Sequence, residues 1–319
     1  MDNEFKIIKD FFLQLADSKN SMKLSNDGAL LNLRNTFLTV STDMMIEGTH
    51  FDGSENPKMI ARKLLRVNLS DLAAMGAIPH GYLLNISIPK KNSFDWIKEF
   101  VAGLKIDQKK FGIKLLGGDL SQSKKIFLSV TILGKVNKKI HYNNSAMEGS
   151  NIYVSGNLGD AAFAFNYLKK KNYLEEKSRN YFMKKLFLPD PKIKLGNFLL
   201  NYSDSCTDIS DGLFRDLNKL CFHSDLCANI FCSKIPLSSY LKKILKNSND
   251  KKELWQTILC GGEDYQLLFS IPKEKIKKFE TQKLKNVHKI GYFSKGNGIK
   301  IYDTENKILN LTKTGFSHF

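Results

Sequence analysis

Cysteine is sparse and unpatterned in this chain. The five thiols, Cys206, Cys221, Cys227, Cys232 and Cys260, are odd in number and contain no CxxC pair, which excludes a disulfide framework and a zinc site as organising devices. No apolar run reaches the ~18 residues of a membrane span. The opening MDNEFKIIKDFFLQLADSK lacks the basic, apolar, small-residue order of a secretory signal. A cytoplasmic location is therefore expected. Arginine is scarce although the net charge is +17, and the lysines fall in short runs such as 169–171 and 242–243. Arginine is the better base-edge and bidentate reader. The excess charge, beside abundant Asn, Ile and Phe, reads as compositional drift, and neither nucleic acid nor membrane is expected as a partner. The P-loop GxxxxGK[ST], a kinase HRD and a DFG are also missing.

What remains is a globular composition, 42% hydrophobic and 25% charged over 319 residues, enough for two domains. The N-terminus reads as an amphipathic helix with Phe5, Ile8, Phe12 and Leu15 on one face. TFLTVS at 36–41 reads as a strand stopping at Thr42-Asp43. Pro57 opens a long helix with Ile60, Leu64, Val67 and Leu72 on one stripe. YLLNISI is strand-like, and Ser93 reads as the N-cap of the next helix. The polar HYNNSAMEGSN marks a boundary near 140–150, giving domains over 1–145 and 146–319. Both halves alternate α and β, with more strand than a doubly wound fold needs.

The acids recur in one setting, at strand ends or helix edges beside small or hydroxyl residues: Asp27 in SNDGA, Asp43 in VSTDMMIEG, Asp71 in VNLSDLAAMG, Asp119 in LLGGDLS, Asp208 and Asp211 in CTDISDG, and Glu263 and Asp264 in CGGEDY. One Asp beside Gly is ordinarily a cap or turn residue. Asp71 differs, because it interrupts an apolar helical pattern where Asp has poor propensity, and a buried acid needs a cation or donors. Carboxylates and hydroxyls with little His or Cys suit a hard ion such as Mg²⁺, and Mg²⁺ on a few carboxylates serves phosphoryl transfer. SGNLGDAA and the glycines of LLGGD offer backbone amides to an anion. His50, in EGTHF, reaches the same region as Asp43 and is a candidate phosphate ligand.

In order, STDMMIEGTHF, ARKLLRVNLSDLAAMGAIP, LLGGDLSQS, YVSGNLGDAA, CTDISDGLFRDL, CGGEDYQLLF and the closing GFSHF resemble the motifs of the thiamine-monophosphate kinase family. The resemblance implies an α/β plus α+β fold like aminoimidazole ribonucleotide synthetase. An N-terminal α/β domain would build a homodimer with its strands, and a C-terminal α+β domain would follow it. It implies ATP-dependent phosphorylation of thiamine monophosphate to thiamine diphosphate, in-line and with several Mg²⁺ ions. Carried over by motif, Asp27, Ser41, Thr42, Asp43, Asp71, Asp119, Asp208 and Asp211 would hold the metal, with Asp43, Asp71, Asp119 and Asp211 as the catalytic carboxylates. Gly118, Asp119, Asn144 and Ser210 would contact ATP. His50, Glu263 and Phe316 would bind thiamine monophosphate.

The chain departs from the family pattern at Asn144, where an Arg is usual, at Leu120 in GGDLS, and at Lys192 after PDP. The alternatives are another ATP-using enzyme of the same fold, such as a selenophosphate or aminoimidazole ribonucleotide synthetase, and a basic nucleic-acid-binding protein. Salt-sensitive binding without Mg²⁺ would mark the latter.

Overall fold

Alternating burial builds the first sheet. The computed structural model describes residues 6–16, 20–33, 36–90, 94–136, 139–170, 174–312 and 315. Its strands β1 (Ala29–Leu33), β2 (Thr36–Ile46), β3 (Ile78–Ile88), β4 (Lys114–Gln122) and β5 (Phe127–Val136) form a five-stranded sheet in the order β1-β2-β5-β3-β4. Along β5, Leu128, Val130 and Ile132 are buried while Ser129 and Thr131 are only half-buried, the period-2 signature of a one-sided sheet. The covered face packs on helix α1 (Pro57–Ala74), which packs in turn against α2 (Phe94–Phe111). Asn56 caps α1 through a bond from the Lys58 N–H, with proline at the first turn. That proline loses nothing there, because the first turn has no intrahelical acceptor for its N–H. β3 and β4 are parallel, so they need a crossover, and α2 supplies it.

These elements belong to a unit made of Asp27–Ile140 and Phe187–Asn197. An ion-pair network ties the late segment in. Asp107, fully buried, accepts from Arg66 Nε at 2.6 Å, Arg66 Nη2 at 3.0 Å and Arg62 Nε at 3.2 Å. Arg66 Nη1 donates to the carbonyls of Leu188 (3.3 Å) and Pro189 (2.9 Å). A buried carboxylate is tolerated because charged donors replace its water, and the same guanidinium fixes the path of PDPK.

The other unit comprises Met1–Asn26, His141–Leu186 and Phe198–Phe319. Strands β6 (Asn151–Ser155), β7 (Ser205–Asp208), β8 (Leu226–Phe231), β9 (Leu267–Ile271), β10 (Val287–Lys295) and β11 (Gly298–Tyr302) form a six-stranded sheet in the order β11-β8-β10-β6-β9-β7, with β8 and β11 parallel and the other pairs antiparallel. β6, β7 and β9 are buried at every position. Helices α3 (Asp160–Lys170), α4 (Glu176–Phe187), α5 (Ile193–Leu199), α6 (Leu213–Ser224), α7 (Ser239–Asn247), α8 (Lys251–Cys260) and α9 (Lys273–Glu280) are the remaining α-helices among the described residues, α5 falling mostly within the first unit. Ile152, Val154, Leu217, Leu220, Leu268 and Ile290 centre the core of this unit. All five cysteines are buried free thiols. Together the two sheets and their helices make the mixed α/β and α+β architecture that the motif order implied.

Three local expectations change. β2 does not stop at Thr42-Asp43 but runs on to Ile46, because Asp43 remains in register with Val130 of β5. The N-terminal segment is two short helical turns, Ile8–Phe12 and Leu13–Leu15, with Phe12 and Leu15 exposed and no residue buried in either turn. Its apolar stripe therefore covers no core, and Phe5 lies outside the described residues. The glycines of LLGGD sit inside β4, opposite Leu83 and Leu84 across a register shift. A Cβ on Gly118 would stand 1.8 Å from the Leu84 carbonyl oxygen. Close strand approach at a bulge demands glycine there, whatever else its amide does. Ser93 lies outside the described residues.

Candidate active site

In the first unit, strand and helix periodicities bring four polar residues together. Ser41 and Asp43 are two apart on β2 and share its helix-facing side; Asn68 and Asp71 are three apart on α1 and share one helical face. Ser41 Oγ donates to Asp71 Oδ2 at 2.5 Å, and the Asp43 N–H donates to Asn68 Oδ1 at 3.1 Å. Asn68 is wholly buried, with its amide nitrogen on the Leu64 carbonyl at 2.9 Å. β1 pairs with β2 only as far as Val40, so the Asp43 N–H lies beyond that strand and Asn68 supplies its acceptor. Asn68 was not among the residues singled out from sequence. The available signal was a polar residue on the buried stripe one turn before Asp71.

Thr42 points to the opposite side of the sheet. Its hydroxyl donates to the Val130 carbonyl at 3.0 Å and accepts from Thr131 at 3.2 Å, so its side-chain oxygen is directed away from Asp71. Asp27 precedes β1, and Gly28 next to it backs onto Val40 and Ser41, which sets Asp27 beside the Ser41 stretch of β2. Asp119 is exposed in β4, aligned with Asn85 of β3. His50 lies in the turn after β2, and its Nδ1 accepts the Ile46 N–H at 3.1 Å. That bond places the proton of the neutral ring on Nε2, which makes Nε2 a donor suited to an anionic oxygen.

In the second unit, CTDISDG and CGGEDY lie side by side. The N–H groups of Glu263 and Tyr265 donate to Ser210 and Ile209 at 2.8 Å each, and Ile209 N–H returns a bond to Gln266 at 2.8 Å. Glu263 and Tyr265 adopt left-handed backbone, φ 74° and 46°, a conformation that costs a non-glycine residue of order 1 kcal/mol and collects at functional loops. Asp208, at the end of β7, is buried. Asp211 Oδ2 stands 3.1 Å from Lys219 Nζ and 3.8 Å from Arg215 Nε. Gly315, which opens GFSHF, lies against Arg215 and the Asp211 carbonyl. Phe316 lies outside the described residues, and Asn144 is exposed in a turn.

Asp264 does something different from its neighbour. Both its oxygens accept the Gly159 N–H, at 2.8 and 3.0 Å. Burial pushes its carboxyl well above the usual range, against the pull of that amide. A carboxylate thus already caps the start of α3 and takes one of the backbone amides that SGNLGDAA offers to an anion. Asp160 beside it accepts from Tyr181 Oη (2.8 Å) and Ser238 Oγ (2.6 Å), and burial raises it too. Asn143 was likewise not singled out. Its N–H donates to Asn26 Oδ1 at 2.8 Å and its side-chain amide to the Ser25 carbonyl at 3.1 Å, pinning the segment that carries Asn144 to the residues before Asp27.

Among the described residues no group of three or more His, Cys, Asp or Glu side chains is gathered to hold a metal ion. The donor set fits Mg²⁺ in the manner that ion prefers. Ser41, Asp43 and Asp71 offer hard oxygens alone, too few for an all-protein cage, and Mg²⁺ retains waters and takes phosphate oxygens for the rest of its shell. Also among the described residues, no helix is long and apolar enough to cross a membrane.

Comparison with known proteins agrees with this layout. Residues 25–136 match the family described as AIR synthase related protein, N-terminal domain. The thiamine-monophosphate kinase of Buchnera aphidicola subsp. Schizaphis graminum is 37% identical, over 99% of this chain and 99% of its own. That of Haemophilus influenzae is 32% identical, over 99% and 98%. The solved structure of AaThiL complexed with AMPPCP and TMP covers 99% of this chain and 97% of its own, with a TM-score of 0.87 and 28% identity. Identity at this level along nearly the whole chain, on a shared two-sheet architecture, leaves one conclusion: the chain belongs to the thiamine-monophosphate kinase family.

Proposed function

We propose that this chain transfers the γ-phosphoryl group of ATP to the phosphate of thiamine monophosphate, giving ADP and thiamine diphosphate in one in-line step. The observation that carries the reading is the Ser41–Asp71 and Asp43–Asn68 clasp. It presents hard oxygen donors on two rigid elements, in a chain related throughout to a protein solved with AMPPCP and TMP. Bound Mg²⁺ would neutralise phosphate charge and align the reacting oxygens.

The roles follow from chemistry and position. Asp27, Asp43, Asp71, Asp119, Asp208 and Asp211, with oxygens of Ser41 and Thr42, hold the cations; for Thr42 this is the backbone oxygen, since its hydroxyl is engaged on the far side of the sheet. Gly118, Asn144 and Ser210 contact ATP. His50 donates through Nε2 to the substrate phosphate, and Glu263 and Phe316 complete the thiamine side. The attacking group is a phosphate oxygen whose second pKa is about 6, so it is ionised at neutral pH and needs no general base. Positioning and electrostatics carry the step. In functional terms the chain divides into an ATP- and metal-binding part, 1–145, and a second part, 146–319, in a cytoplasmic enzyme.

An ADP-release assay tests the reading, run with thiamine monophosphate, with free thiamine and with no acceptor. Turnover should require both thiamine monophosphate and Mg²⁺ and vanish with EDTA. ADP release with free thiamine alone would overturn the substrate assignment.

The same reading includes a homodimer through the first sheet. Met44 and Leu83 are exposed on its sheet, and Leu115, Leu116 and Leu120 are exposed along the edge strand β4, an edge that monomers ordinarily blunt. Sedimentation equilibrium should give twice the chain mass, and Leu116→Glu should shift it to one chain mass. A wild-type monomer at micromolar concentration would refute the dimer.

A further inference from the structure

Asp211 is engaged by cations that the chain itself provides. Lys219 Nζ lies 3.1 Å from Asp211 Oδ2 and 2.9 Å from Asp216 Oδ1. The second Asp216 oxygen accepts the Asp211 N–H at 3.0 Å. The three residues close a ring: the Asp211 backbone, the Asp216 carboxylate, the Lys219 ammonium, and back to the Asp211 carboxylate. Residues 216 and 219 are three apart on α6, so their side chains meet on one face.

Exposure separates the two carboxylates. The Asp216 side chain is 1% exposed, whereas Lys219 and Asp211 are 22% and 28% exposed. A buried carboxylate that lost its ammonium would be left with an uncompensated charge, so Asp216 keeps Lys219. The bond from Lys219 to Asp211 is the one that solvent and ions reach, and it can be exchanged.

We infer that Lys219 is an internal counter-cation for Asp211: it stands in for a divalent cation, competes with it for that carboxylate, and stays on Asp216 when displaced. The inference rests on the reading of Asp211 as a cation-binding carboxylate. It explains how Asp208, Asp211 and Asp216 crowd into nine residues without mutual repulsion opening the loop before metal arrives. It also makes bare metal a poor ligand here, because each cation must first displace an ammonium. Lys219 is a positioning residue, acting through Asp211.

Equilibrium binding of Mn²⁺ to the full chain without nucleotide, read from the resonance of the free ion, tests this. Lys219→Met should tighten Mn²⁺ binding about tenfold, since a unit positive charge is removed from within ~4 Å of the ligand oxygen. Lys219→Gln, which keeps a donor for Asp216, should tighten it likewise and serves if the Met variant folds poorly. Lys219→Arg should stay within about twofold of wild type. Adding Asp211→Asn to Lys219→Met should erase the gain. Unchanged or weaker binding in both neutral variants overturns the inference, as does a gain that survives Asp211→Asn. Wild-type ADP release measured in parallel separates the two readings. Turnover without any affinity gain removes the role of Lys219 alone, and a gain without thiamine-monophosphate-dependent turnover removes the kinase assignment alone.

Discussion

Replacing Asp71 with asparagine should lower kcat by about 10³-fold or more and leave the fold standing. The substitution conserves shape. Asparagine keeps an oxygen to accept the Ser41 hydroxyl, now bound to Asp71 at 2.5 Å, and α1 retains its buried stripe on both sides, from Leu64 to Ala74. What disappears is one negative charge on a rigid helix facing β2. An amide oxygen is a weaker ligand for a hard cation than a carboxylate, and the charge it fails to supply is needed when ATP and a second phosphate share one site. Two measurements separate chemistry from folding. Steady-state kcat with saturating thiamine monophosphate should collapse, while the urea midpoint should move by no more than the equivalent of ~1 kcal/mol. Near-normal kcat with an unchanged midpoint would show that the β2–α1 clasp is structural and that the metal is held elsewhere.

Asp71 was legible in the sequence because it breaks a pattern. An acid on an apolar helical stripe has few reasons to be there, and the one available reason was chemical. Its partners were less legible. Asn68 lies on the same stripe, but asparagine is common enough in helices of this composition to raise no alarm. Only the shared face of β2 and α1 reveals that it holds the Asp43 amide. The reading of β2 failed at its end for a related reason. Asp looks like a strand stop when local propensity decides, yet pairing with β5 carries the strand through to Ile46. The Glu263-Asp264 pair shows the limit of motif reading most directly. Two adjacent acids invite one role, but the left-handed backbone at Glu263 turns them apart, and Asp264 is spent on the start of α3. No local rule assigns which of two neighbouring carboxylates goes inward. Lys219 could have been found, since an Asp and a Lys three apart after SDG form an ordinary helical pair. That the same ammonium also reaches Asp211 depends on the turn geometry before α6.

Gly262→Ala should cost about 10²-fold in kcat/KM for thiamine monophosphate. The glycine sits where the two acidic motifs of the second unit touch. A Cβ there would lie 2.1 Å from the Ser210 carbonyl oxygen, with Ser210 C and Asp211 Cα at 3.1 and 3.2 Å. All three are backbone atoms, so no rotamer change relieves the contact. Ser210 and Glu263 are joined by a 2.8 Å bond, and relief must stretch that bond by separating the segments that carry Asp211 and Glu263. A displacement of about 1 Å in a positioning element is worth roughly two orders of magnitude in rate, and the overpacking itself costs ~1–3 kcal/mol of stability. Gly298→Ala is the matched control. It places alanine at φ +85° but meets nothing within 4 Å, so it should carry the ~1–2 kcal/mol of left-handed strain with little change in kcat/KM. If both variants lose stability alike and both retain wild-type kinetics, the junction of CTDISDG and CGGEDY serves folding only. If Gly262→Ala alone loses rate, the spacing between Ser210 and Glu263 is what the reaction depends on.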